Sequence, residues 1–351
     1  MKTRVVKVDQ VDPDIGVLKE ASGVIKNGGT VVFPTETVYG LGANAYSAEA
    51  CSKIFKAKNR PEDNPLIVHV ANRRQLLDCT SEQDPEVMRA LDSIWPGPLT
   101  VLMKRSSRIP DNVTAGLDTV AVRMPANPLA LKLIEMSGVP IAAPSANIAT
   151  RPSIVDSADA IAELDGLVDM ILDAGPTFFG IESTIINTMK KPVELLRPGA
   201  FDHADLEPYF DNIVVSDVAR GISASEIAIT PGMKYRHYSP DRELYILSDA
   251  GLIKSFPTGA VGEKAMLIMS SEKFEGLSVD GISLGSEENL YEIARNLFTA
   301  FRKLERTPKA FGLIQSFPER GVGLAIMNRI RKASSGTINS KEELEALLHS
   351  G

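Results

Sequence analysis

Thiols are scarce in this chain of 351 residues: Cys51 and Cys79 are the only two, and no C-x-x-C pair occurs. A framework of several disulfides and a cysteine zinc site are therefore excluded, and a reduced pair of the cytosolic kind is expected. The four histidines, His69, His203, His237 and His349, are scattered, which argues against a zinc site built from imidazoles. No run approaches the roughly 18 apolar residues of a spanning helix. Met1 to Lys7 has no long apolar core, so neither a secretory leader nor membrane attachment is expected, and a cytoplasmic location is. Basic residues number 38 against 45 acidic ones, a net charge of −7. No overall positive field exists to hold nucleic acid, and any phosphate site must be a local cluster of Lys and Arg.

What the chain has in ordinary supply is core: 44% hydrophobic and 24% charged residues suit a soluble globular protein. The length exceeds one ordinary core, so two domains are expected, over 1–210 and 241–351. Between them, residues 211–240 read as a connection, with Pro231 and Pro240 bracketing a basic, aromatic run.

The sequence is organised around Phe33-Pro34-Thr35-Glu36-Thr37-Val38-Tyr39-Gly40-Leu41-Gly42. Thr30 to Phe33 is β-branched and apolar and reads as a buried strand. Pro34 cannot donate to a ladder, so the chain is expected to leave the sheet there. Gly40 and Gly42 permit close backbone approach. Upstream, Asp12 to Ile25 reads as a helix capped by Asp12. Downstream, short strands (66–70, 99–103, 119–123, 139–143, 181–186) alternate with helices (47–55 and from 84 to near 95), the pattern of a layered α/β domain. The second half repeats it with strands at 244–247, 265–269, 282–284 and 311–315 and a helix from Glu287 to about Arg306 capped by Ser286. A parallel sheet is expected there.

Several groups of side chains suit anion chemistry. Lys58-x-Arg60 with Asn64, in an irregular loop, reads either as a polyphosphate grip or as a solvated basic loop. Ser145-x-Asn147 follows an apolar strand, where open α/β sheets bind ligands, although Ser and Asn are also ordinary turn formers. No G-x-S-x-G surrounds Ser145, so a covalent serine is not expected. Arg123 in an apolar strand needs an acidic partner or ligand if buried, and Arg197 also sits at a strand end. His69 alternates in step with Ile67 and reads either as a core residue or as a site residue. Tyr235 and Arg236 suit stacking on a base or packing between domains.

Taken in order, Pro34-Thr35-Glu36-Thr37-Val38-Tyr39-Gly40-Leu41, Lys58-Asn59-Arg60-Pro61, Asn64-Pro65-Leu66, Trp95-Pro96-Gly97-Pro98-Leu99-Thr100, Arg123-Met124-Pro125, Pro144-Ser145-Ala146-Asn147, Ser183-Thr184 and Leu196-Arg197-Pro198-Gly199 resemble the threonylcarbamoyl-AMP synthases of the YrdC-like family. The segment from Pro231 to Pro240 and Gly321-x-Gly323-Leu324-Ala325-x-x-Asn328-Arg329 are similar to the linker and C-terminal domain of its long form.

That resemblance implies a twisted, open mixed sheet with helices, followed by a smaller Rossmann-like α/β domain. It implies synthesis of L-threonylcarbamoyladenylate from L-threonine, bicarbonate or CO2, and ATP, with release of pyrophosphate and Mg2+ accompanying ATP. The product would pass to a tRNA threonylcarbamoyl-transfer complex acting at adenosine 37 of tRNAs that read ANN codons, with tRNA contact a further implication. By the same resemblance, Lys58, Arg60, Ser145 and Asn147 form the catalytic K-x-R and S-x-N elements. Thr37, His69, Arg123, Ala143 and Ser183 correspond to threonine contacts. Arg60, Asn64, Thr119, Ser145, Ser153, Arg197 and Tyr235 correspond to ATP contacts. No resident protein metal site is implied. The 231–240 segment is expected to act as a lid. The rival expectation is a noncatalytic RNA-binding module of the same fold.

Overall fold

A computed structural model of the chain describes residues 2–81, 84–223, 228–231, 238–256 and 258–349. It opens with β1 (Arg4–Lys7) and α1 (Ile15–Lys26). Asp14, not Asp12, caps α1: its Oδ1 accepts from Val17 N at 2.9 Å, while Asp12 N is drawn back to Asp9 Oδ1 at 2.8 Å. Leu18, Ala21 and Ile25 form the buried stripe of α1.

β2 (Val31–Pro34) then meets the one clear departure from the expected path. β2 does end at Pro34, but after residues 35–38 the chain re-enters the sheet as β3 (Tyr39–Asn44), antiparallel to β2 with Pro34 opposite Tyr39. Proline is tolerated because it stands at the last position of its strand, and the turn is closed by Thr35, whose N and Oγ1 both donate to Val38 O (3.2 and 2.7 Å). The polar residues are thus the tip of a hairpin rather than a strand-end loop.

The chain continues through α2 (Ala48–Lys58), β4 (Ile67–His69), α3 (Arg73–Cys79), α4 (Pro85–Ile94), β5 (Leu99–Lys104), α5 (Asp111–Thr114), β6 (Thr119–Arg123) and α6 (Pro128–Ser137). After these come β7 (Ile141–Ala142), α7 (Ser157–Leu164), β8 (Met170–Asp173), β9 (Thr184–Asn187), β10 (Glu194–Arg197) and α8 (His203–Leu206). Residues 211–223, part of the expected connection, add β11 (Val214–Val215), parallel to β10, and α9 (Asp217–Arg220). The sheet order is β1-β8-β2-β3-β7-β4-β6-β5-β9-β10-β11, with parallel and antiparallel pairs mixed. β4 and β6 run parallel in register His69 opposite Arg123, so their C-terminal ends point the same way.

The second layer contains β12 (Glu243–Leu247), α10 (Thr258–Lys264), β13 (Ala265–Met269), α11 (Ser271–Phe274), β14 (Gly281–Ser283), α12 (Leu290–Glu305), β15 (Phe311–Gln315), α13 (Gly323–Ala333), β16 (Gly336–Ile338) and α14 (Lys341–His349). Its five strands are all parallel in the order β14-β13-β15-β12-β16, the smaller α/β domain expected. α12 starts later than expected because Asn289 is its cap, while Ser286 turns its hydroxyl to Glu272 Oε1 at 2.5 Å.

The two layers share apolar core. Val38, Val155, Ile181 and Ala200 of the first domain cluster with Ile293, Leu297, Phe298, Ile326 and Ile330 of α12 and α13. Buried ion pairs reinforce the contact: Arg302 of α12, 3% exposed, meets Glu163 at 2.7 Å and donates to Pro152 O at 2.5 Å. Among the described residues no helix is long and apolar enough to cross a membrane.

Candidate active site

A cavity of about 260 Å³ lies where the hairpin tip, the segment after α2, the C-terminal ends of β4 and β6, the segment after β7, and the start of β9 and end of β10 converge. Lys58, Arg60, Asn64, Ser145 and Asn147 line it, as do Thr37, His69, Arg123, Ala143, Ser183 and Arg197. Eleven candidates scattered over 160 residues of sequence therefore share one wall.

The K-x-R and S-x-N elements are bonded to each other. α2 ends at Asn59 in the left-handed region (φ 50°), which asparagine tolerates, and this turns Arg60 out of the helix direction. Lys58, 1% exposed, donates through Nζ to Ser145 O at 2.5 Å and to Asn147 O. Ser145 Oγ donates to Asn147 Oδ1 at 2.6 Å, and Asn147 Nδ2 donates to Ile148 O and Arg151 O. Burial, followed by Arg60, pushes the Lys58 ammonium well below the usual lysine pKa, with Glu163 opposing and Arg302 adding to the shift. Arg60 donates to Asn64 O (3.2 Å) and Pro65 O (2.9 Å). A bridge between Gly40 and Ser145 ties the hairpin to this element. A Cβ at Gly40 would lie 3.3 Å from that of Ala143, so glycine keeps the two backbones close. Gly42 faces Phe33 and Ile141 in the core instead, so its smallness serves packing.

Arg123 is the centre of a second group. It is 3% exposed, its Nη1 donates to Thr37 Oγ1 at 2.9 Å, and its Nη2 lies 2.6 Å from Glu36 Oε1. The Glu36 contact is an ion pair rather than an aligned hydrogen bond, since neither the carboxylate oxygens nor Nη2 have an aligned partner among the described residues. Glu36 therefore steadies a cation. His69 beside it is pushed down to about 3 by burial and then by Arg123, so its imidazole is neutral, and its Nδ1 has no hydrogen-bond partner among the described residues. Thr100, which the sequence reading passed over, stands opposite Arg123 in the β5–β6 ladder and shares a 2.8 Å hydrogen bond with Ser183 Oγ.

The third group surrounds Arg197, whose Nε and Nη2 donate to Ser183 O at 3.1 and 2.8 Å, Nη2 also reaching Ser183 Oγ at 3.1 Å. Glu182, next in the wall, takes Arg329 Nε on Oε2 at 2.9 Å and the Ser153 hydroxyl on Oε1. Burial alone would raise Glu182, but Arg329 and Arg197 hold it below the usual carboxylate range. Tyr238 closes this side with φ +67° and its ring 5.4 Å from Arg329 Cζ.

Three expected contacts stand apart. Ser153 is buried, is not among the cavity walls, and donates its hydroxyl to Glu182, which is. Thr119 begins β6 opposite Lys104, four residues before Arg123, and is not among the cavity walls. Tyr235, and most of the expected 231–240 lid, lie outside the described residues, although Pro231 and Tyr238 at its two ends do line the cavity. Glu182 and Thr100 were not among the expected site residues, and Tyr238 was expected only as part of the 231–240 lid. Glu182 was legible as an acid flanked by Ile181 and Ser183, but nothing in the sequence marked its distant arginine.

The cavity thus carries four buried or partly buried basic side chains, neutral hydroxyls and amides, and no Ser-His or Cys-His pair among the described residues. Its equipment suits a group transfer between anionic substrates with no covalent enzyme intermediate. A family model described as "Telomere recombination" matches residues 23–199, and one described as "Threonylcarbamoyl-AMP synthase, C-terminal domain" matches residues 202–335. The threonylcarbamoyl-AMP synthase of Pyrococcus abyssi is 43% identical over 90% of this chain and 94% of its own length. That of Bacillus subtilis is 41% identical over 93% of this chain and 94% of its own. A crystal structure of P. abyssi Sua5 with L-threonine superposes with a TM-score of 0.88 at 40% identity, covering 96% of this chain and all of that one.

The chain belongs to the threonylcarbamoyl-AMP synthase family, in its long two-domain form. It is a nucleotidyltransferase, and the catalytic reading is supported over the RNA-binding one.

Proposed function

We propose that this cavity holds L-threonine and ATP together and joins them, through bicarbonate or CO2, into L-threonylcarbamoyladenylate with release of pyrophosphate. The observation that carries the reading is the convergence of the Arg123–Thr37 group, the Lys58–Ser145–Asn147 group and the Arg197–Ser183 group on one wall. Threonine's amine takes up CO2 as a carbamate, whose oxygen attacks the α-phosphorus of ATP while pyrophosphate leaves. Arg123 and Thr37 hold the amino acid's carboxylate end, with Ser183, Ala143 and neutral His69 around the rest. Ser145, Asn147, Asn64, Arg60 and Arg197 hold the nucleotide. Lys58 and Arg60 offset the charge that develops on pyrophosphate.

Magnesium enters this reading as part of the ATP substrate, on phosphate oxygens. Among the described residues the wall offers one carboxylate, Glu182, already engaged by Arg329 and Ser153, and no cluster of three metal-ligating side chains occurs. Delivery of the product to a tRNA-modifying partner in the cytoplasm completes the proposal.

Pyrophosphate release from ATP tests it. Release is expected to require both L-threonine and bicarbonate, and release that depends on neither overturns the reading. Within that assay Thr37→Val separates the subsites. It removes a hydroxyl bonded to a charged guanidinium, a contact worth about 1.5–3 kcal/mol. The KM for threonine is expected to rise at least about tenfold while that for ATP moves less than about twofold.

A further inference from the structure

In the second domain the C-terminal ends of β13 and β15 carry a polar cluster around Glu287. Glu287 accepts from Ser270 Oγ at 3.0 Å and from Gln315 Nε2 at 2.8 Å, with Lys273 at 3.6 Å. What the domain sends toward the active site is a guanidinium with no exposed surface at all, Arg329 of α13.

Arg329 is bonded to the residues on both sides of the Ser183–Arg197 pair. Its Nε bonds Glu182, the residue before Ser183, at 2.9 Å, and its Nη1 donates to Pro198 O, the residue after Arg197, at 2.6 Å. The two segments it spans lie backbone against backbone: a Cβ at Gly199 would fall 2.4 Å from Glu182 O and 2.3 Å from Thr184 N. Asn328 seats the helix beside it, donating from Nδ2 to Ala219 O at 2.7 Å and accepting from Arg329 Nη1 at 3.1 Å.

We propose that Arg329 is a positioning residue of the active site: by satisfying Glu182 it leaves Arg197 bound to Ser183 and facing the nucleotide.

The physical argument is competition between two cations for one buried carboxylate. Glu182 is 5% exposed, and a carboxylate so placed does not remain without a partner. Arg197 is also buried, close enough to Glu182 to lower its pKa, and held by three donor contacts to the neighbouring Ser183. With Arg329 present, Glu182 is paired and Arg197 keeps its fork on Ser183. Without it, Glu182 captures Arg197, which turns off Ser183 and away from the cavity. The second domain is, in these terms, part of the active site's wall.

The inference rests on the functional reading above, in which Arg197 faces ATP, and the experiment keeps the two apart. Full-length wild-type protein is assayed first for threonine-dependent pyrophosphate release; silence there overturns the functional reading. Given an active wild type, Arg329→Met is expected to raise the ATP KM at least about tenfold, the size of a lost charge-assisted contact. The double variant Glu182→Gln with Arg329→Met, which lacks the carboxylate beside Arg197, is expected to return to within about threefold of wild type. A purely structural brace would leave the double variant as impaired as the single. An unchanged ATP KM in Arg329→Met overturns the proposal, as does a folded double variant without recovery. Should Arg329→Met not fold, the double variant alone decides by the same criterion. Arg329→Lys adds a further criterion: it retains a cation for Glu182 and is expected to stay within about threefold of wild type, and a tenfold rise there counts against the proposal.

Discussion

Arg123→Met is expected to end threonine use almost entirely and to destabilise the protein at the same time. The side chain is 3% exposed and holds Thr37 Oγ1 at 2.9 Å and Glu36 at 2.6 Å. In the proposed complex it also carries the substrate carboxylate on a two-pronged contact. Two charge-assisted bonds of about 1.5–3 kcal/mol each correspond to a loss of roughly 10²- to 10⁴-fold in kcat/KM for threonine. Removing the cation also strands the Glu36 carboxylate in the interior, at a cost of about 3–5 kcal/mol. The two effects separate in Glu36→Gln with Arg123→Met. Stability measured by denaturant unfolding should largely return, while threonine use stays lost. Arg123→Lys should not rescue activity, because one ammonium cannot reproduce contacts to Thr37, Glu36 and Gly97 O from a planar fork. A single variant that retains threonine kinetics within about threefold of wild type would remove Arg123 from the substrate site.

How much of this was readable from the chain itself differs between fold and site. α4 was fully legible, because Asp84-Pro85 and Trp95-Pro96 punctuate both ends, and the helix runs from Pro85 to Ile94. The hairpin of β2 and β3 was not. Pro34 reads as a stop, and only the ladder from Val31 opposite Gly42 to Pro34 opposite Tyr39 shows that the glycine-rich return is itself a strand. β7 is two residues long and β11 likewise, too short for any periodicity to register. Lys58, Arg60, Ser145 and Asn147 were visible as residue types at strand and helix ends, but their contact was not, since Lys58 meets Ser145 O across 87 positions. Glu182 and Arg329 stand 147 positions apart, and the sequence showed Glu182 only as an acid near hydroxyls and Arg329 only as the end of the stretch that resembles the long form's C-terminal domain, with nothing to pair them. Local patterning reports the periods of helices and strands; the pairing of buried charges is a property of the tertiary packing, and one sequence carries no local trace of it.

Lys58→Met carries the second large effect, and it includes a proton. The substitution leaves Ser145 O and Asn147 O without their buried donor, about 1–3 kcal/mol for each unsatisfied group. On the proposed function it also removes the charge that offsets the leaving pyrophosphate, a loss of about 10²- to 10³-fold in kcat by analogy with other preorganised donors. The pH behaviour follows from burial. Lys58 is held below its usual 10.5, first by desolvation and then by Arg60. Between its folded value and 10.5 the unfolded chain binds the extra proton, so this residue makes stability rise with pH across that window. A polyphosphate bound beside Lys58 reverses the balance by favouring the ammonium. Binding of ATP should therefore take up a proton, toward one per site, at pH values between the free-enzyme and the ATP-bound values of Lys58. Calorimetric titration of ATP in two buffers of different ionisation enthalpy measures that uptake directly, and Lys58→Met should abolish it. Zero uptake by the wild type at every pH tested below the usual 10.5, with tight ATP binding, would mean that the Lys58 charge does not face the phosphates, and its part in the chemistry would reduce to holding the Ser145–Asn147 segment in place.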